Sequence, residues 1–95
     1  MPGMTNAQKA QHYLQQFEYW ADQVGGHEKL SRRAAEAECQ ARGDGPAMVA
    51  YYTEADMAKN PWAMLAKGKR DAMLARANLY TSLAIMDQLN AQQPA

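Results

Sequence analysis

The chain has 95 residues and no formal net charge, with ten Lys and Arg against ten Asp and Glu. That length holds one domain at most, near the lower end of what supports its own core, and the even charge gives no electrostatic reason to expect a nucleic-acid or anionic-membrane binder. Hydrophobic residues make up 47%, but 19 of them are alanine against seven Leu, two Val and one Ile, so Met and aromatic residues must supply much of the apolar bulk.

In chain order, Thr5 with Gln8 three residues later fits a capping box, in which each side chain satisfies an amide left free at a helix start. Ala10, Tyr13, Leu14, Phe17, Trp20, Ala21 and Val24 then follow at the spacing of an amphipathic helix. Gly25-Gly26 should interrupt it, since two helical glycines cost about 2 kcal/mol relative to alanine. The next stretch, "HEKLSRRAAEAECQAR", has strong helix propensity but only Leu30, Ala34, Ala37 and Ala41 as a narrow apolar stripe. It reads as a second helix, either lightly packed or continuous with the first.

"GDGP" at 43–46 is the strongest breaker. Gly43 suits a helix C-terminus, Asp44 or Gly45 a cap, and Pro46 the first turn of a third helix that buries Met48 or Val49, Tyr52 and Ala55. Asn60-Pro61 repeats the device and opens a last helix that meets no breaker but Gly68 before Gln92. Its stripe runs from Trp62 and Leu65 through Gly68, Ala72, Ala75, Leu79 and Leu83 to Met86 and Leu89, close to a heptad. Thirty such residues make a rod of about 45 Å, longer than a compact domain of this size. The spacing therefore predicts helices over about 6–25, 28–42, 46–59 and 61–92, with tails at "MPGM" and "AQQPA". The fold class is all-α, an antiparallel helical hairpin or small bundle with a long C-terminal helix, in a single domain spanning 1–95. The long rod needs a partner along its length, either the 5–42 arm or a second copy.

Chemistry-bearing motifs are few. Arg42-Gly43-Asp44 matches an adhesion tripeptide, but Gly43 and Asp44 are already explained by helix capping, and the start shows no secretion signal. "HEKLS" from His27 begins like a zinc-protease motif, yet Ser31 stands where the second histidine belongs and His12 lies on another turn. Cys39 is the lone cysteine, with Glu36 and Glu38 beside it to oppose a thiolate and Arg42 to favour one, and it reads as a structural thiol. No catalytic residue, metal ligand or cofactor site is expected, and the chain reads as a non-enzyme. No apolar run approaches the roughly 18 residues of a membrane span. The expected setting is reduced and cytoplasmic.

Two surfaces remain as candidates for binding. Tyr19 sits beside its helix stripe and, with Tyr51, could make an exposed aromatic patch. With Trp62, Leu79, Leu83 and Met86 these form the expected partner-binding set, since exposed aromatic and Met residues mark binding hot spots. The alternative is a nucleic-acid face built from Lys59, Lys67, Lys69, Arg70 and Arg76, the one basic concentration in the chain. An ordinary solvated face, or one that pairs with the acidic 44–58 segment of another copy, would look the same.

The N-terminal "AQHYLQQFEYWAD", the proline-initiated final helix and the closing "RDAMLARANLYTSLAIMDQL" resemble the short, alanine-rich helical-hairpin proteins of actinobacteria, their phages and integrating elements. That resemblance implies a source and a fold more than an activity. The helical-hairpin substrates of type VII secretion have similar length, but their Trp-x-Gly turn is absent, and a whole helix follows the Tyr52-to-Asp56 match to their C-terminal motif. The expected function is a non-catalytic protein–protein interaction module that self-associates through the long C-terminal helix. It would be an accessory protein of a phage or mobile element that binds a host or virion protein, in the host cytoplasm or the virion. The runner-up is a small nucleic-acid-binding regulator.

Overall fold

Thr5 opens the first helix as its spacing predicts. Its hydroxyl accepts from the Gln8 amide at 3.1 Å, and the Gln8 side chain accepts from the Thr5 amide at 2.9 Å. The computed structural model describes residues 3–92. Among these the chain forms three helices: α1 (Asn6–Arg42), α2 (Met48–Ala58) and α3 (Pro61–Gln92). Of the expected tails, Ala91 and Gln92 belong to α3, while 1–2 and 93–95 lie outside the described residues.

The GDGP break turns the chain fully back. Gly43 takes a left-handed conformation (φ 71°) that a side chain rarely adopts. Its N–H donates to the Gln40 carbonyl at 3.3 Å, and the Asp44 N–H donates to the Cys39 carbonyl at 3.0 Å. This pair of bonds is the Schellman ending, which satisfies carbonyls that α1 would otherwise leave free. The return arm then runs antiparallel to α1 in two pieces. Tyr13 stacks on Tyr80 at 5.6 Å, Asn6 donates to Asp87 at 2.8 Å, and Asn60 approaches His27 at 3.5 Å, so residue numbers fall on α3 as they rise on α1. Thus α3 covers the first part of α1 and α2 covers the last part, where Arg42 meets the ring of Tyr52. The three helices meet around Val24, Met57, Ala63 and Ala66, with Trp20 packed against them. The result is a hairpin 71 Å long and only 14 Å through its thinnest direction.

Three expectations need correction. First, α1 does not break at Gly25-Gly26; one helix replaces the expected pair over 6–25 and 28–42. Both glycines are exposed and helical, while Val24 and His27 on either side are held by the core junction and by Asn60. Local anchoring outweighs about 2 kcal/mol of propensity. The return arm does break where Asn60-Pro61 predicts, at Lys59-Asn60, and there the side-chain Oδ1 of Asn60 accepts from the amides of Trp62 (3.0 Å) and Ala63 (3.4 Å).

Second, Pro46 precedes α2 rather than opening it. A turn carries the chain from 45 to 49, with Met48 N–H donating to Gly45 (3.1 Å) and Val49 N–H to Pro46 (3.1 Å). The helix begins behind Ala47, whose methyl group offers no acceptor for a cap, and the expected cap residues Asp44 and Gly45 lie upstream of it; the Asp44 carboxylate accepts from the Tyr52 hydroxyl at 2.8 Å. The sides of α2 follow: Thr53 and Met57 are buried, Val49, Tyr52 and Ala55 half-buried, and Met48 exposed. The Thr53 hydroxyl goes inside because it donates to the Val49 carbonyl at 2.7 Å.

Third, two stripes face the other way. In the second half of α1 the buried residues are Ser31, Ala35 and Cys39, while Leu30, Ala34, Ala37 and Ala41 are exposed. In α3 the inward side is Ala63, Ala66, Met73 and Ala77, and most of the expected stripe faces solvent. Small side chains let the arms approach closely, and they, not the larger residues, define the contact. Around the first half of α1 the expected side does turn inward, except that Leu14 is exposed.

Candidate interaction surface

One copy of this chain hides little. Met57 is the sole large side chain that is fully buried, whereas thirteen large apolar side chains are exposed among the described residues. Soluble single chains rarely leave apolar surface in contiguous patches, so the arrangement of these residues matters more than their number.

They are not scattered evenly. On α3, Leu65, Ala72, Leu79 and Met86 recur every seven residues, with Gly68, Ala75, Ser82 and Leu89 three positions after each. At 100° per residue this row lies on the side of α3 away from Ala63, Ala66, Met73 and Ala77, and therefore away from α1. Leu79 and Met86 are 54% and 55% exposed, and Leu83 beside them is half-buried. The heptad legible in the sequence is real as a pattern, but it points out of the molecule.

The aromatic candidates do not join. Tyr19 and Tyr51 are 54% and 64% exposed, each edge-on to its neighbour in sequence, Trp20 and Tyr52 respectively. Tyr19 lies five residues before Val24 on α1, and Tyr51 six residues before Met57 on the antiparallel α2. Since Val24 and Met57 belong to one core cluster, the helix rise sets the two backbone positions about 16 Å apart along the axis, on opposite sides of the junction. Trp62, 71% exposed, stands at the first turn of α3.

The basic residues do not form one face either. Lys67 and Lys69 are two positions apart on a helix, which sets them on nearly opposite sides. Lys67 reaches Glu54 of α2 at 3.8 Å, Arg70 pairs with Asp71 at 3.0 Å, and Arg76 lies over the Tyr13 ring at 5.7 Å. Lys59 closes α2 as its C-cap residue. Most of this charge is spent on intramolecular contacts, and the α3 cations divide into Lys67 and Arg70 on one side and Lys69 and Arg76 on the other.

At the hairpin tip the Arg-Gly-Asp tripeptide is tied down. Arg42 bonds Glu38 at 2.9 Å and lies over the Tyr52 ring, and Asp44 accepts from the Tyr52 hydroxyl. That bond, with some burial, raises the pKa of Tyr52 above its ordinary value. Cys39, buried beneath the tip, also has a raised pKa, chiefly from burial and then from the charges of Asp44 and Glu38, with Arg42 opposing. Its thiol is held protonated near neutral pH. His12 stands edge-on to Tyr13, and His27 faces Asn60. Among the described residues, no three His, Cys, Asp or Glu side chains come together as metal ligands would, and no helix is long and apolar enough to cross a membrane.

The α1–α3 side also carries a shallow apolar groove of about 440 Å³, lined by Leu14, Leu74, Ala77 and Ile85 among others. Sequence reasoning missed it. Leu74 and Ile85 belong to neither the buried side of α3 nor its heptad row, and only the placement of α1 brings Leu14 beside them.

Comparison with protein-family models, with curated proteins and with solved structures finds no match to this chain.

Proposed function

We propose that this protein is a non-catalytic interaction module that self-associates through α3. The observation that carries the reading is the heptad row on the outer side of α3, set against a single-copy interior in which one large side chain is fully buried among the described residues. A thin hairpin has no second layer to cover such a row, and helical domains ordinarily bury each apolar side against another element. A second copy supplies the missing layer. The finer reading, an accessory protein of a phage or mobile element that binds a host or virion protein, rests on the resemblance of its helical segments to proteins of that kind. No observation favours the nucleic-acid alternative over this one, because its cations are divided between two sides of α3 and the end of α2.

Light scattering coupled to size exclusion tests the proposal directly. The expected mass is at least twice the 10.6 kDa of one chain. Leu79→Glu and Met86→Glu, each placing a charge on the row, should weaken the association at least tenfold while leaving the helical circular dichroism signal intact. A mass of 10.6 kDa at every concentration up to the millimolar range would rule self-association out.

A further inference from the structure

Resting on that reading, we propose that the second copy docks along the outer side of α3 as a parallel, in-register coiled coil, with Asp71 of each chain paired to the partner's Arg76. The period identifies the occupant as a helix. Spacings of three and four alternate from Leu65 to Leu89 without a slip, which is the seam of a left-handed two-helix coil. At 1.5 Å per residue this seam runs about 36 Å. The groove beside Leu14, Leu74 and Ile85 has no charged residue in its lining, so nothing there selects an occupant.

The flanking charges select both the identity of the partner and its direction. With Leu65 and its heptad equivalents at the first seam position, Asp71 falls on one edge of the seam and Lys69 and Arg76 on the other. In a parallel pair, an edge residue meets the opposite-edge residue five positions further along the partner. Asp71 thus meets the partner's Arg76, and symmetry makes the pair twice. Lys69 falls opposite the partner's Met64, where its methylene stem lies on apolar surface.

The antiparallel arrangement with the same overlap is worse. Its two-fold axis would pass near residue 77, setting Arg76 against the partner's Arg76 and Asp71 against the partner's Ile85. Like charges directly across a seam repel, and Asp71 would lose its counter-charge.

The interior of the seam is consistent with close packing. Gly68, Ala72 and Ala75 let the backbones approach over the first half. Leu79, Met86 and Leu89 fill the second half, flanked by Leu83 and Ile85. Ser82 is the polar member, and its hydroxyl already donates to the Asn78 carbonyl at 3.0 Å, so it enters the seam satisfied. Asp71 and Arg76 are themselves exposed, and the contacts they make within one chain, to the half-buried Arg70 and Tyr13 ring, are at the surface and readily exchanged.

The test uses the full chain in a Cys39→Ser background. Ser82→Cys should form an intermolecular disulfide under mild oxidation. A mixture of Leu65→Cys and Leu89→Cys chains, tagged to differ in mass, should give only 65–65 and 89–89 products. Asp71→Arg and Arg76→Asp should each weaken the dimer about three- to tenfold, and the double exchange should recover it to within about twofold. Residues 71 and 76 are not neighbours within one helix, so recovery reports a contact between chains. Circular dichroism on each variant separates lost association from lost folding, and all three cysteine positions are exposed. A monomer by light scattering overturns the self-association reading and this geometry with it. A dimer that yields 65–89 products, or no product at any seam cysteine, overturns the parallel seam alone and leaves self-association standing.

Discussion

At Asn60 one side chain closes two problems. Its carbonyl oxygen accepts from two amides at the start of α3, where Pro61 lacks an N–H, and its amide group faces His27 on α1. Replacing it with alanine should lower stability by about 1 kcal/mol, the usual cost of a lost N-cap, as a shifted midpoint in urea. Tyr52, like Cys39, is a residue through which alkaline pH acts. Its folded-state pKa lies above the ordinary 10.0, first because its hydroxyl donates to Asp44 and then because of burial. A raised folded pKa contributes stability that is complete below pH 10 and is lost as pH rises through the raised value. Tyr52→Phe should therefore lower stability at pH 8 and remove part of the decline above pH 10, read from melting curves across that range. Both residues were legible in part. The Asn-Pro pair named its helix start, whereas the Asp44–Tyr52 bond joins positions eight apart that only the turn between them brings together.

At the scale of the helix, α1 gives the clearest discrepancy. Gly25-Gly26 reads as a break from propensity alone, but a cost of about 2 kcal/mol does not interrupt a helix whose flanking residues are anchored on both sides. A Cβ added at either glycine would meet nothing within 4 Å, and neither has a positive φ. Gly25→Ala and Gly26→Ala should therefore each stabilise the chain by roughly 0.5–1 kcal/mol, additively, in chemical denaturation. Which side of each helix turns inward was the harder question. Apolar size suggested Leu30, Leu65 and Leu79, but alanine-rich helices carry two competing apolar rows, one of small residues and one of large. The backbones come closest over the small row, so Ala35, Ala63 and Ala66 make the intramolecular contact. Nothing in a single sequence distinguishes a row that meets its own chain from a row that meets another. The hairpin turn, the proline starts and the last helix from 61 to 92 were legible because glycine and proline act locally, through φ and the missing N–H.

On the scale of the whole molecule, few large side chains are enclosed, and stability should depend on how much of the chain is associated. If α3 joins two copies, the melting temperature should rise with protein concentration, by mass action, across the range in which light scattering sees dimer form. A melting temperature that stays constant across that range would contradict the linkage. The long, thin shape has a separate effect on how the protein moves through solvent and column. Its Cα radius of gyration is 19.7 Å, while a compact chain of this length would have about 12 Å. The same radius belongs to a globular chain of about 320 residues. A lone copy should therefore leave a sizing column well ahead of globular standards of its own mass, and retention volume would imitate oligomerisation in a strict monomer. Small-angle scattering should return the same large radius with the pair-distance profile of a rod, one short maximum followed by a tail out to about 71 Å.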